Sequence, residues 1–186
     1  MLGNDIVDLT QASVTSNWQR KGYLEKLFND DEIQIILLSK VPERVLWLLW
    51  SMKEGAYKII NRENGLRFYA PKKFECTISY LADDVASGQV VFEGTTLIST
   101  SEINSQFVHS TVLSSANDLD KFQLRYIPNN LNYLSFFETQ FSKHRLMKTA
   151  RGIPELVGTN GTRYVASVSH HGKYLALAYL SEEILG

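Results

Sequence analysis

Three groups of residues in this chain have the types and spacing to do chemistry. The first is an acid near the start, in GNDIVDL. If that run is a strand, Asp5 shares a face with Gly3, Val7 and Leu9, and a carboxylate on an apolar face is costly unless something compensates it. Asp5 is then either a functional acid or a turn or cap carboxylate. Asp8 falls on the opposite face with Asn4, where solvation is the simpler expectation. The second group is Glu54 and Lys58, which at i and i+4 lie on one face of a helix. They read as a solvated ion pair or as a paired acid and cation beside Trp50 and Tyr57; Gly55 between them marks a close backbone approach or is incidental. The third is SVSHHGKY, where Ser169, His170 and a glycine-containing turn could donate to phosphate oxygens, or could simply close a hairpin. Just before it, Lys143, His144, Arg145, Lys148 and Arg151 form a basic run that also fits a charged helix C-terminus.

The elements that must position these groups follow from periodicity. A strand is expected at Leu2–Leu9 and a helix at Asn17–Phe28. A capping box is expected at Asn29 and Glu32, ahead of the apolar run Ile33–Leu38. The strongest helix signal runs over Glu43–Ile60, entered just after Pro42. Strand-like runs follow at Phe74–Leu81, Gln89–Ile98, Gln106–Leu113 and Lys121–Ile127. Asn132–Lys148 reads as a helix with Leu134, Phe137, Phe141 and Leu146 on its apolar side. Two strands, Arg163–Ser169 and Tyr174–Leu180, close the chain around the turn His170–Lys173. Helices and hairpin strands together give an α+β class.

Composition narrows the classes. The 186 residues suit one domain or two small lobes, and 44% hydrophobic with 21% charged residues is ordinary for a globular chain. A formal net charge of −1 supplies no global field for nucleic acid or membrane, so an anionic ligand must be held locally. The apolar run Val45–Trp50 is far short of the ~20 residues a membrane span needs. The start MLGNDIVDL lacks the pattern of a secretory signal, so a cytoplasmic protein is expected. The single cysteine, Cys76, excludes an intrachain disulfide and a Cys-rich zinc site, and its setting in FECTISY is that of a buried thiol. No P-loop, H-E-x-x-H or G-x-S-x-G occurs, which leaves readings built on those motifs without support.

GNDIVDL, LWSMKEGAYK and SVSHHGKYLALAY, in that order, resemble the 4'-phosphopantetheinyl transferases. The first is similar to the family's G-x-D-[IV], with the metal acid at Asp5. The second resembles W-[SA]-x-K-E-x-x-x-K at Trp50, Ser51, Lys53, Glu54 and Lys58, and the third S-x-S-H at Ser167, Ser169 and His170. FNDDE at Phe28–Glu32 is similar to F-[ST]-x-x-E, and the clear resemblance covers about residues 1–75 and 150–180. Two positions depart from the pattern. Val7 stands where longer members carry a second acid, and Gly152-Ile153-Pro154 replaces G-[KR]-P, which leaves Arg151 as the neighbouring basic residue.

The resemblance implies a fold of antiparallel sheets packed against helices. It implies one domain over 1–186, with lobes at about 1–128 and 129–186 if the chain is a two-lobed pseudo-dimer. The implied activity is Mg2+-dependent transfer of 4'-phosphopantetheine from coenzyme A to a serine of an apo acyl or peptidyl carrier protein, releasing 3',5'-ADP. It further implies Asp5 and Glu54 as metal ligands, Glu54 and Lys58 as catalytic residues, and Lys58, Ser169, His170 and Arg151 as coenzyme A contacts. The assembly that the resemblance implies is a monomer or a homotrimer. A non-catalytic coenzyme A or carrier-protein binding module is the competing reading; it would be favoured by loss of Asp5, Glu54 or Lys58, and all three are present.

Overall fold

Strand β1 (Leu2–Asp8) is covered on both faces. A computed structural model describes residues 1–181 apart from 66, 69, 131 and 142. Four helices follow the first strand: α1 (Leu9–Thr15), α2 (Tyr23–Leu27), α3 (Asp30–Leu38) and α4 (Pro42–Asn64). Then come β2 (Glu75–Leu81), β3 (Val85–Phe92), β4 (Thr95–Ile103), β5 (Phe107–Leu113) and β6 (Phe122–Pro128). Helix α5 (Tyr133–Gln140) leads to β7 (His144–Lys148), β8 (Pro154–Gly158), β9 (Arg163–His171) and β10 (Tyr174–Leu180).

The class is α+β, with two five-stranded antiparallel sheets packed with helices. Their orders are β1-β5-β4-β3-β2 and β6-β10-β9-β8-β7. Each sheet thus runs first, fifth, fourth, third, second, with helix inserted after its first strand. The chain passes from one sheet to the other between Leu113 and Phe122, so β6 belongs beside β10. The main core lies between α4 and the first sheet, and a smaller one lies under α5 and the second. The sheets meet through Leu2, Leu113 and Ala178 and through Ile6, Phe107 and Ala176. Among the described residues no helix is long and apolar enough to cross a membrane.

Local chemistry explains most boundaries. The Asn29 side chain accepts from the Glu32 amide at 2.9 Å while Glu32 accepts from the Asn29 amide at 2.9 Å, which is the expected capping box. Helix α4 starts with Pro42 in its first turn and stops at Gly65, whose φ of 72° supplies the left-handed C-cap. It therefore extends one turn beyond the expected Ile60.

Several expectations need correction. The helix expected at Asn17–Phe28 is only Tyr23–Leu27, because Gly22 at φ 79° begins it in a left-handed conformation. A helix at Leu9–Thr15 instead follows β1 directly, capped by the Asp8 side chain. The run Gln89–Ile98 is two strands, turned at Glu93 and Gly94, whose φ values of 47° and 84° suit a two-residue hairpin. The expected helix Asn132–Lys148 ends at Gln140, and Leu146 is buried from strand β7, opposite Leu156. Tertiary pairing there overrides a helical period. Strand β8 was not expected at all.

The buried Lys53 is the fold's main electrostatic anchor. Its ammonium lies 2.8 Å from Glu32, both side chains being about 1% exposed. It also donates to the carbonyls of Pro71 and Phe74, and Glu32 accepts from the Cys76 amide at 2.8 Å. One ion pair therefore joins α3, α4 and the start of β2. Removing one partner strands the other charge, which costs about 3–5 kcal/mol. Lys53→Met should lower the urea unfolding free energy by about that amount; an unchanged midpoint would show that the pair holds nothing.

Candidate functional site

Helix α4 carries its acid and cation to β1 through a contact between two glycines. A Cβ on Gly3 would collide with the Gly55 carbonyl oxygen, and a Cβ on Gly55 would lie 2.7 Å from the Val112 side chain. With nothing between the backbones, Lys58 reaches across β1. Its ammonium donates to the Asn4 carbonyl at 2.6 Å and to Asp5 Oδ1 at 3.2 Å. Gly55 is thus a close approach, one of the two readings its sequence left open.

Two neighbouring cavities open here. Asp5, Glu54, His170 and His171 line the first, with Trp47, Trp50 and Tyr23 forming its apolar wall. Lys58, Arg62, Arg67, Lys148, Arg151 and His170 line the second, which is strongly basic. His170 lines both. In each cavity one wall comes from β1 and the helices, and the other from the second half of the chain.

The acids are crowded. Burial raises the Asp5 carboxyl above its ordinary value, and Lys58 only partly offsets this. Burial, then the neighbouring Asp5, pushes Glu54 up to about 7. Two desolvated carboxyls facing one cavity make it favourable for a cation. Among the described residues no group of three or more His, Cys, Asp or Glu side chains converges on a metal. Two carboxylates nevertheless fit a hard ion such as Mg2+, which takes oxygen ligands and keeps several waters.

Of the residues expected from sequence, Asp5, Glu54, Lys58, His170 and Arg151 all line these cavities. Arg151 also donates to the Arg62 carbonyl at 3.1 Å, which latches the end of α4. Ser169 does not line either one. It is buried, and its hydroxyl accepts from the Asn4 side-chain nitrogen at 3.1 Å; Ser167, two residues earlier, lines the basic cleft. Asp8 is not solvated as expected but buried, because the β9–β10 hairpin covers that face of β1. Burial alone would raise its pKa, yet donation from the Gln11, Lys173 and Thr10 amides outweighs this and holds it low. Cys76 is a buried thiol, with its pKa driven up by burial.

The sequence did not single out Arg62, Arg67 or His171. Arg62 was within reach of periodicity, lying one turn beyond Lys58 on the same face of α4. Its guanidinium donates to the carbonyls of Pro154 and Ala166, so it ties α4 to the second sheet. Lys148 lay in the basic run, but its cavity position depends on strand β7 replacing the expected helix.

A family model of the 4'-phosphopantetheinyl transferase superfamily matches residues 1–112. No curated protein matches the chain. The matched span contains Asp5, Glu54 and Lys58 and ends one residue short of the end of β5.

The raised Glu54 pKa has a consequence for stability. Between about 4.5 and 7 the folded protein keeps a proton that the unfolded chain has released, so stability is lost as pH rises through that window. Glu54→Gln removes this penalty. In metal-free buffer at pH 8 the variant should melt higher than wild type by several degrees, each kcal/mol being worth roughly 2–4 °C at this size. At pH 4 the two should coincide. Equal melting at pH 8 would contradict the crowded-carboxyl picture.

Proposed function

The chain belongs to the 4'-phosphopantetheinyl transferase superfamily, and from that premise we propose that it moves the 4'-phosphopantetheine arm of coenzyme A, with Mg2+, onto a serine of an apo acyl or peptidyl carrier protein, in the manner of a holo-acyl-carrier-protein synthase. One observation carries the reading. Two desolvated acids share a cavity with His170, and that histidine also lines an adjoining cleft with five cationic side chains. A carboxylate pocket beside an anion cleft is what transfer from a pyrophosphate diester requires.

In this reading the cleft receives the phosphates of coenzyme A. Arg67, Lys148, Arg151 and His170 hold them, while Arg62 is committed to backbone carbonyls and shapes the cleft. Among the described residues Lys58 has one N–H left after Asn4 and Asp5, and offers it to a phosphate oxygen. Asp5 and Glu54 would hold Mg2+, which when bound offsets the charge of the pyrophosphate. The serine oxygen bonds to the β-phosphorus as the bond from that phosphorus to the bridging oxygen breaks. The bridging oxygen keeps the electron pair and departs on 3',5'-ADP. Glu54 takes the serine proton, directly or through a water that it orients. Ser169, expected on coenzyme A, acts instead through Asn4, whose carbonyl accepts from Lys58.

The reading takes residues 1–186 as one cytoplasmic domain of two lobes, divided between Leu113 and Phe122, where the sheets change, and not at about residue 128 as expected. The lobes then meet at the site, so that a monomer is complete.

The test is direct. Wild-type protein incubated with coenzyme A, Mg2+ and a panel of apo carrier proteins should add the mass of one phosphopantetheine arm to a carrier. EDTA should stop the reaction and Mg2+ restore it. Asp5→Ala and Glu54→Ala should abolish transfer with the fold intact, and Lys58→Ala should lose about 2.7–4 kcal/mol of transition-state stabilisation. His170→Ala should raise KM for coenzyme A more than it lowers kcat. Near wild-type turnover in either acid variant would overturn the assignment of the acids.

A further inference from the structure

His171 lies at the end of β9, on the wall of the carboxylate cavity, and no role has yet been given to it. Its ring is held in one tautomer by the main chain. The Asp8 amide N–H donates to His171 Nδ1 at 2.9 Å, so that nitrogen carries a lone pair and the ring proton sits on Nε2. The Asp8 carboxylate does not orient the ring; it is taken by the amides of Gln11 and Lys173 at 3.1 and 3.2 Å. The imidazole therefore has an amide donor behind it rather than an acid. It is a fixed donor. Nε2 has no hydrogen-bond partner among the described residues.

We propose that His171 is a further catalytic residue, whose Nε2–H donates to a non-bridging oxygen of the phosphate being transferred. The proposal rests on the transferase reading above and deepens it. Asp5 and Glu54 mark where the reacting phosphorus sits, and His171 is on the wall of the same cavity. His170 also borders the basic cleft, whereas His171 borders the carboxylate cavity alone of the two. The adjacent histidines thus divide the work: His170 holds coenzyme A, and His171 meets the charge that shifts during transfer. A donor fixed before the reaction loses little in reorganisation, which is why one such group is worth about 10²–10³ in rate.

A brace and a donor make opposite demands on the replacement. In His171→Asn the side-chain oxygen can still accept from the Asp8 amide, but nothing donates into the cavity. In His171→Gln the amide nitrogen reaches the place of Nε2, but the brace is lost. Transfer kinetics should show His171→Asn melting like wild type with kcat down about 100-fold and KM for coenzyme A little changed. His171→Gln should recover at least about tenfold of that loss. Wild-type kcat in His171→Asn, or a Gln variant no faster than Asn, would overturn the proposal. Histidine 15N NMR supplies a readout that needs no transfer. His171 should show the Nε2–H tautomer, and coenzyme A with Mg2+ should shift Nε2 more than Nδ1. An Nδ1–H tautomer or an unmoved Nε2 would overturn the proposal even in an active enzyme. A wild type inert toward every carrier would count against the transferase reading, while the NMR result would still decide whether His171 donates to a bound phosphate.

Discussion

Strand β1 and helix α4 touch backbone to backbone at Gly3 and Gly55, and the placement of the acids depends on that absence of side chains. One added Cβ on Gly3 would push the helix away from the strand. Lys58 would then lose the Asn4 carbonyl and Asp5 together, and Glu54 would withdraw from the cavity that it shares with Asp5. The other face of β1 is equally committed. The Asn4 amide N–H donates to Ser167, and its side-chain nitrogen donates to Ser169 and to the Ala176 carbonyl and faces His109 Nε2. A single strand thus fixes the helix on one side and the second sheet on the other. The cavities form where the three meet.

The buried charges on α4 illustrate how one short motif serves two ends. Lys53 and Glu54 are neighbours, but the helix turns them apart. Lys53 goes inward to Glu32, where that ion pair and two backbone carbonyls satisfy it, and the Cys76 amide donates to Glu32. Glu54 goes to the cavity, with Asp5 beside it and no full compensation. The first arrangement is closed and stable; the second is left short of positive charge. Incomplete neutralisation of desolvated carboxyls is a cost to the fold that a bound cation would relieve. Ser51 belongs to the closed side as well, with its hydroxyl 2.6 Å from that of Ser110.

Much of this was readable from sequence where local rules decide the outcome. The cap at Asn29, the long helix after Pro42 and the closing hairpin depend on neighbours along the chain. So does the pairing of Glu54 with Lys58 on one helix face. Position relative to the other sheet was not readable. Asp8 looked solvent-facing because a strand pattern cannot reveal that a hairpin some 160 residues later covers it. Leu146 fitted a helical stripe until pairing with β8 placed it on a strand. Ser169 and Ser167 sit on the same strand two residues apart, and both hydroxyls accept from Asn4, but Ser167 alone of the two lines the cleft. His171 was passed over because its tautomer is set by a main-chain amide, which leaves no side-chain signature.

The two sheets share a strand order, and the cavities draw their walls from both. In the proposed monomer one chain supplies a whole site, its two walls coming from the two sheets. Light scattering at micromolar concentration with coenzyme A and Mg2+ present tests it most directly. The account predicts a particle of 21.2 kDa that binds one coenzyme A per chain. A particle near three times 21.2 kDa, with binding lost on dilution to the single chain, would contradict it.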